Sequence, residues 1–361
     1  MDVTQSSQFL SAIKLKRGEQ KALKLLDETV KKSLVPLIEV VPVPAGDQGV
    51  TQSLVDQHFD AAACQIGDCW GAEHPVMLDF SLVQSDVRAP GGMHPIEGTI
   101  EQFSERGVRV IPVIPFGAAV SHMSATGTAT LSYSEGCCIR VGPTDSTSMA
   151  LGNGLIQFTR QLGVPLSLVD VIFDLRDMPQ NLPAETLRTL VVRTLGSIRN
   201  LSDFRRVFLL SGAFPADLRG VEDMDLISRA DWRLFESVTQ WVGDVVLFGD
   251  YGPRHPALPE LNFSVIKPAA SLRYCLDNTW LIPRGKSLRD VRNGGYGQYN
   301  YLCRNLRNDP RFCGAAFSAG DARIDDAAAG GKSGNLETWV TAGLNHHITY
   351  VARQVANRVS P

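Results

Sequence analysis

Short runs of apolar, largely β-branched residues recur along the chain at a regular spacing. Because these runs are continuously apolar rather than alternating, they are typical of strands that are buried on both faces, as in parallel sheets. Amphipathic stretches lie between them, and two of these, at 96–106 and 149–162, end before Gly107 and Gly163, which are favourable helix stops. The eight runs occupy residues 35–43, 75–83, 108–116, 137–141, 166–175, 206–210, 245–248 and 271–276.

The spacing of the runs predicts a closed barrel. Their starts are about 34 residues apart on average, and a strand, a helix and two loops need roughly 30 residues. Eight such units in about 250 residues match a (β/α)8 barrel. An open doubly wound sheet gives a similar pattern, but it usually has fewer strands and a glycine-rich first turn. The first run is followed by PAGDQG, which lacks the G-x-G-x-x-G pattern, so the barrel is favoured.

The predicted fold class is therefore α/β, a (β/α)8 TIM-like barrel with a helical lead-in and a C-terminal helical extension. Residues 1–34 form the N-terminal extension, which includes an amphipathic helix and packs on the barrel. The barrel spans residues 35–286. Residues 287–361 form a C-terminal extension of the same domain and close with a helix at 336–357.

Charge and composition exclude several classes of protein. The chain has 35 basic and 38 acidic residues, a formal net charge of −3, so it lacks the bulk positive charge that attracts nucleic acid or anionic lipid. Without a basic stripe, helix-turn-helix or zinc finger, direct reading of duplex DNA is not expected. No run of 18 apolar residues occurs, so no membrane span is expected. Seven scattered cysteines, an odd number, favour reduced thiols and a cytoplasmic location.

Charged residues cluster at the ends of the predicted strands, where barrel proteins carry their functional residues. Glu39, Asp79 and Asp174 lie inside otherwise apolar runs, where a lone carboxylate is costly unless it is paired or binds a cation. We predict catalytic roles for these three and for Asp250. The groups predicted to bind substrate are Lys16, Arg140, Arg176, Tyr251 and Arg284.

This set of residue types suits an anionic ligand. Arginines bind phosphate or carboxylate groups through paired hydrogen bonds, which predicts an anionic small molecule or nucleotide as partner. Three or four carboxylates can also hold a divalent cation such as Mg²⁺. Neither H-E-x-x-H nor D-x-D-x-D-G is present, so no metal ligand is assigned. The alternative is a buried salt-bridge layer in which Arg140 neutralises Asp174 or Asp79 without any substrate.

Three further motifs give weaker signals. AGGKS at 329–333 has Asp326 where a P-loop needs glycine, and no strand precedes it. His346 and His347 are adjacent, so they point away from each other on a helix and cannot form an i, i+4 metal pair. Lys14 and Lys16 share one side of an extended segment and would reach an anion at the barrel mouth.

Several segments together resemble the family named after the phage T4 beta protein, which occurs in bacteria and their mobile elements. They occur in the same order over nearly the whole chain. The segments are LKRGEQKAL at 15–23, VPLIEV at 35–40, IRVG at 139–142, FDLRD at 173–177, FGDYGP at 248–253, GGYGQYNYLCRNLRNDPRFCGAAFSAGD at 294–321 and TWVTAGLNHHI at 338–348. The resemblance implies a barrel-like fold, an association with phage–host conflict, and one domain that includes the C-terminal segment. The chain departs from the family pattern after CCIRVG, where no acidic residue follows until Asp145.

The sequence is compatible with two functions, of which one is enzymatic and the other is not. The first is metal-assisted phosphodiester or nucleotide hydrolysis in phage–host conflict. The second is a non-catalytic scaffold or sensor subunit of a defence-type assembly, with a protein partner contacting aromatic residues in 294–321. Packing of those aromatic residues against the barrel is the simpler explanation for them.

Overall fold

Eight parallel strands form a closed barrel. The computed structural model describes residues 8–45, 49–83, 88, 94–133, 135–178, 183–257 and 268–359. Each strand pairs with its neighbours in chain order, and β1 pairs with the last barrel strand to close the ring. The barrel strands are β1 (Phe9–Ile13), β2 (Leu34–Glu39), β3 (Val76–Asp79), β4 (Val110–Pro115), β5 (Cys137–Val141), β6 (Val169–Asp177), β7 (Arg206–Gly212) and β9 (Leu247–Asp250), while β8 (Met224–Ser228) lies outside the ring. The predicted (β/α)8 fold class is confirmed.

Helices follow the strands and pack around the barrel. Two of the predicted stops hold: α4 ends just before Arg106 and Gly107, and α6 ends at Gly163, whose φ of 74° is the left-handed conformation that glycine tolerates. The barrel helices are α1 (Arg17–Lys24), α2 (Glu28–Ser33), α3 (Gln52–Trp70), α4 (Pro95–Glu105), α5 (Val120–Tyr133), α6 (Leu151–Leu162), α7 (Ala184–Ser197) and α8 (Ala230–Val242).

The predicted barrel limits were wrong at both ends. The first barrel strand is Phe9–Ile13, which lies inside the predicted extension 1–34, and its Leu10 pairs with Val35 of β2 and with Gly249 of β9. The run at 271–276 does not belong to the barrel, which closes at Asp250. The strands of the barrel thus lie between residues 9 and 250 rather than within 35–286. A five-residue strand with a polar serine at its centre gives too weak an apolar signal to stand out.

A small antiparallel sheet and three helices follow the barrel. Strands β10 (Ala269–Ser271), β11 (Tyr274–Cys275) and β12 (Thr279–Ser287) form this sheet, and β8 pairs with β12 on its other side. The helices are α9 (Gln298–Arg307), α10 (Ala319–Ala328) and α11 (Leu336–Val359). Apolar residues of α11 share one core with β1, α1 and α3. None of the helices in the described ranges combines the length and the apolar character that crossing a bilayer requires.

The barrel interior is built in layers, because alternate residues of each strand face the axis. The central layers are apolar. They contain Leu10, Ala12, Val35, Leu37, Met77, Ile111, Val113, Cys138, Ile172, Phe208, Leu210 and Leu247. At the amino ends of the strands, Asp170 is held by Arg205 and Arg206 at 2.7 and 2.6 Å. A second charged layer lies at the carboxyl ends, where barrel enzymes place their active sites.

Candidate functional site

Arg140 is the centre of a charged cluster at the carboxyl ends of the barrel strands. It is the last inward-facing residue of β5 and is only 4% exposed. Its Nε donates to Asp174 Oδ2 at 2.9 Å and its Nη2 donates to the Tyr251 hydroxyl at 2.8 Å. Its Nη1 lies 3.0 Å from Glu39 Oε1 and also contacts Asp79. Each nitrogen of the guanidinium group is therefore directed at a protein group, and the acid partners left open by the sequence are Glu39, Asp79 and Asp174.

The end of β6 is shaped to bring two residues into this cluster. Asp174 faces the axis by the alternation of the strand, and it accepts hydrogen bonds from the Tyr251 hydroxyl at 2.8 and 2.9 Å. Arg176 has a φ of 56°, and its backbone N–H donates to Asp174 Oδ1 at 2.8 Å. The register between β6 and β7 shifts between Asp174 and Asp177. Such an irregularity redirects a side chain, and here the Arg176 guanidinium contacts Glu39 and Asp174 at 2.9 and 3.1 Å.

Lys14 completes the cluster just beyond the end of β1. Its ammonium group donates to the carbonyl of Pro256 at 2.6 Å and lies 4.0 Å from Glu39 Oε2. Glu39 Oε2 is buried and has no hydrogen-bond partner among the described residues. We call the seven residues Lys14, Glu39, Asp79, Arg140, Asp174, Arg176 and Tyr251 the mouth cluster. Its three carboxylates are matched by three cations, so its formal charge is balanced.

Burial and pairing set the protonation of the cluster. Burial alone would raise the pKa of Asp79, but Arg140 and hydrogen bonds from Ser81 outweigh it and hold that pKa below its usual range. Burial alone would lower the pKa of Arg140, but Tyr251 and the carboxylates raise it well above its usual range. Burial and Asp174 raise the pKa of Tyr251, so its hydroxyl keeps its proton. Burial lowers the pKa of Lys14 to about 8, although Glu39 opposes this shift.

Asp250 does not join the mouth cluster, although we predicted a catalytic role for it beside the other acids. Tyr251 faces the axis, so the preceding residue faces the outside of the barrel wall. There Asp250 contacts His347 Nε2 of α11 at 2.7 Å and accepts from the Ser11 hydroxyl at 3.0 Å. His347 opposes the effect of burial and keeps the pKa of Asp250 below its usual range. This buried pair joins α11 to the barrel wall.

Two predicted substrate-binding residues also lie apart from the mouth cluster. Lys16 is exposed at the start of α1, and its backbone N–H, rather than its ammonium group, is bonded to Glu19 at 2.9 Å. Although Lys16 is exposed, partial loss of hydration lowers its pKa, and the positive charge of Arg254 adds to this effect. Arg284 belongs to β12 in the small sheet and lines a different cavity. Its prediction at the mouth depends on the run at 271–276 being the eighth barrel strand, and that run lies outside the barrel.

The residue that was left out of the predicted site is Lys14. The sequence offered it beside Lys16 as a group able to reach an anion, and the periodicity of a strand at 9–13 would have selected it. Leu10 and Ala12 face the axis, and the next residue of that series is Lys14.

The carboxylates of the mouth cluster do not form a cation site with the geometry found here. Within the described ranges, no three side chains of His, Cys, Asp or Glu lie close enough together to hold a metal ion. Glu39, Asp79 and Asp174 are instead grouped around the Arg140 guanidinium, which supplies the positive charge that an ion would bring. A divalent cation therefore stays a sequence-based prediction.

Comparison with known families agrees with the resemblance seen in the sequence. A family model described as Beta protein matches residues 9–353. The chain belongs to the Beta protein family. The matched range begins at the first residue of β1 and ends within α11, so it includes both the barrel and the C-terminal helices. A comparison with curated proteins gives no match.

Solved structures similar to this Beta protein family member include xylanases. One is a mutant of xylanase A from P. fluorescens subsp. cellulosa in complex with xylopentaose, at 10% identity and a TM-score of 0.29, covering 76% of this chain and 91% of that chain. A thermostable xylanase mutant from Cellvibrio japonicus gives the same identity, TM-score and coverage. The catalytic core of xylanase A gives 12% identity and a TM-score of 0.30, covering 76% and 92%. The fold assignment itself depends on the strand pairing described above.

The FGDYGP segment of this Beta protein family member has a distinct contact for almost every residue. Phe248 packs against Trp232 with ring centroids 4.8 Å apart. Asp250 contacts α11 and Tyr251 contacts the mouth cluster, as described above. Gly252 has a φ of 62°, and a Cβ atom there would lie 3.1 Å from Leu344 of α11, so glycine is required for this turn.

Proposed function

We propose that this protein binds a small anionic ligand, carrying a phosphate or carboxylate group, at the carboxyl ends of its barrel strands. The observation that carries the proposal is the mouth cluster itself. Apolar layers fill the middle of the barrel, yet here the inward positions of six strands, or the residue just after them, are ionisable. Apolar residues would stabilise the barrel as well or better, because burying charges costs free energy even when they are paired. Such a layer at this end of a barrel is typical of a functional site.

Arg176 is the residue of the cluster that is placed to contact a ligand. Its Nε and Nη1 hold Asp174 and Glu39, while its side chain remains 36% exposed. Arg140, at 4% exposure, is enclosed by its protein partners. Arg176 is therefore the cation of the mouth cluster that a phosphate or carboxylate can contact. Paired N–H donors of arginine are well suited to both anions.

Glu39 is the group best placed for chemistry on such a ligand. Its Oε1 is held by Arg140 and Arg176 at 3.0 and 2.9 Å, whereas its buried Oε2 has no hydrogen-bond partner among the described residues. In the predicted phosphodiester or nucleotide hydrolysis, this oxygen would accept a proton from the attacking water. That hydrolysis, like the association with phage–host conflict implied by the family, remains a prediction.

The scaffold alternative has less support from the predicted contact surface at 294–321. Tyr299 is buried and stacks on Trp339 with ring centroids 4.9 Å apart. Phe312 packs near Tyr274 and Phe317 packs near His346, at centroid distances of 5.9 and 5.4 Å. Most of these aromatic residues therefore pack inside the fold, while Tyr296 and Tyr301 remain exposed.

Calorimetric titration with inorganic phosphate and pyrophosphate tests the proposal. We expect Arg176→Gln to weaken binding at least tenfold, which corresponds to about 1.4 kcal/mol, because the charge and the paired donors are lost. Arg219→Gln is the matched control, since that side chain is 88% exposed and its ion pair among the described residues is with Asp217. Equal affinities of Arg176→Gln and the unsubstituted protein, or no binding to either, would show that the mouth cluster is a structural salt-bridge layer.

A further inference from the structure

A second cavity lies beside the small sheet, away from the barrel mouth. Its volume is about 750 Å³, which is within the range of pockets that hold small-molecule ligands and cofactors. Strand β12 and the start of α9 form two of its walls, and the segment before β8 forms a third. We call it the sheet cavity. The lining residues that matter for its chemistry are Glu222, Asp223, Arg284, Lys286, Gln298 and Tyr301.

Two cations on β12 are available to an anion in this cavity. Arg284 and Lys286 are two residues apart on one strand, so their side chains lie on the same face. Nη1 of Arg284 is buried and has no hydrogen-bond partner in the part of the chain that the structure describes. A buried charged donor without a partner is costly unless a ligand or water completes it. Arg292 also lines the cavity, but Asp290 holds it at 2.9 and 2.8 Å, so its charge is already matched.

The floor of the sheet cavity is fixed by Gln298. Its Oε1 accepts the backbone N–H of Lys286 at 2.7 Å, and its Nε2 donates to the carbonyl of Gly295 at 3.0 Å. These bonds hold β12 against the glycine-rich turn that precedes α9. A Cβ atom at Gly285 would lie 2.6 Å from Gln298 Oε1, so a side chain at this position would displace Gln298 from these bonds. The cavity is therefore preformed, which lowers the entropic cost of binding.

The remaining lining groups favour a ligand that carries hydroxyl groups and a flat ring in addition to an anionic group. Glu222 and Asp223 bring negative charge, which disfavours a phosphate group close to them. Their carboxylate oxygens can instead accept hydrogen bonds from sugar hydroxyl groups. Asp223 has a φ of 44°, and its carbonyl accepts the N–H of Arg284 at 2.6 Å, which fixes the acidic wall next to the cationic one. Tyr301 is 59% exposed and offers a flat face on which a base can stack.

We infer that the sheet cavity binds a nucleotide. Arg284 and Lys286 take the phosphate, Glu222 and Asp223 accept hydrogen bonds from the ribose, and Tyr301 stacks on the base. This site goes beyond the function proposed for the barrel mouth, because it uses different residues on a different sheet. Either site can be present without the other.

Calorimetric titration of the full chain with AMP, GMP, CMP and UMP tests the inference, with adenosine and inorganic phosphate as partial ligands. We expect at least one nucleotide to bind, and both Arg284→Gln and Lys286→Gln to weaken it at least tenfold. Lys286 is exposed and its ammonium group has no ion pair within the described ranges, so its substitution leaves the fold intact even if that of Arg284 does not. Tyr301→Ala should weaken the binding of the nucleotide and leave the affinity for inorganic phosphate unchanged.

Two controls separate this site from the barrel mouth. Arg304→Gln removes an exposed arginine of the same helix that does not line the cavity, and it should leave nucleotide affinity unchanged. Arg176→Gln should remove only binding at the barrel mouth and leave the nucleotide binding that Lys286→Gln weakens unchanged. The inference is overturned if no nucleotide binds, if phosphate alone binds as tightly as the nucleotides, or if nucleotide affinity depends on Arg176 and not on Lys286.

Discussion

Lys14 has its ammonium group in the barrel interior at only 6% exposure, and this placement has a cost that depends on pH. Burial lowers its pKa in the folded protein to about 8, whereas the unfolded value is about 10.4. Between these values the unfolded state binds more protons than the folded state, so stability rises with pH. Below about pH 8 the folded protein bears the full cost of a buried ammonium group.

The residue-scale prediction concerns Lys14→Met, which removes that ammonium group and keeps the length of the side chain. The free energy of unfolding of the unsubstituted protein should rise by a few kcal/mol relative to the variant between about pH 8 and 10.4, since one pKa unit is about 1.4 kcal/mol. Urea unfolding of both proteins at pH 7.5, 9 and 10 measures the difference, in which other titrating groups cancel. Parallel stability curves would mean that Lys14 titrates at its usual pKa.

Most of the mouth cluster could be predicted from the sequence, because a charged residue inside an apolar run is conspicuous. Glu39, Asp79 and Asp174 were found in this way and do meet around one arginine. Asp250 was placed with them because it ends a strand, but the period of two along that strand assigns Tyr251 to the interior and Asp250 to the outer face. A pattern of strand ends alone does not distinguish the two faces.

At the scale of elements, close helix contacts explain features that periodicity does not. The start of α10 lies against α11, and a Cβ atom at Gly320 would lie 2.2 Å from the carbonyl oxygen of Ala342. The Gly320 N–H also donates to Asn345 Oδ1 at 2.9 Å. A contact between backbone atoms of two helices cannot be recognised from one sequence, since it depends on how the helices cross. The C-terminal helix itself was predicted at 336–357, close to the observed α11.

The element-scale prediction compares two glycines. Gly320→Ala should destabilise the protein by about 1–3 kcal/mol, because the added methyl group forces two backbones apart. Gly196→Ala in α7 is the matched control: a Cβ atom there meets nothing within 4 Å, and alanine favours a helix by about 1 kcal/mol over glycine. Urea unfolding of the two variants should therefore give changes of opposite sign. Equal effects would show that α10 and α11 are not packed as closely as described.

At the scale of the whole molecule, the barrel is closed by its least conspicuous strand. The regular spacing of apolar runs predicted the number of strands and the fold class. That spacing also predicts the eighth strand at 271–276, but this run instead contains the end of β10 and the two residues of β11, both in the small antiparallel sheet. The missing barrel strand was β1, whose FLSAI sequence carries a serine at its centre. Strand count is a local property, whereas ring closure depends on pairing between residues over 200 positions apart.

The predicted extension at 1–34 is consequently part of the barrel, and its removal tests that assignment. Without β1, the strand β2 loses its five residue pairs with β1, and β9 loses its two. Both strands then become open edges that can pair with other chains. The mouth cluster also loses Lys14, and α11 loses its packing against α1.

We expect a chain of residues 35–361 to aggregate or to unfold without cooperativity, whereas a chain of residues 8–361, which keeps every described contact, should unfold in one cooperative transition. Light scattering and urea unfolding followed by circular dichroism measure both outcomes. A monomeric 35–361 chain with a cooperative transition would mean that the ring closes without β1, and that the pairing through Leu10 and Ser11 is dispensable.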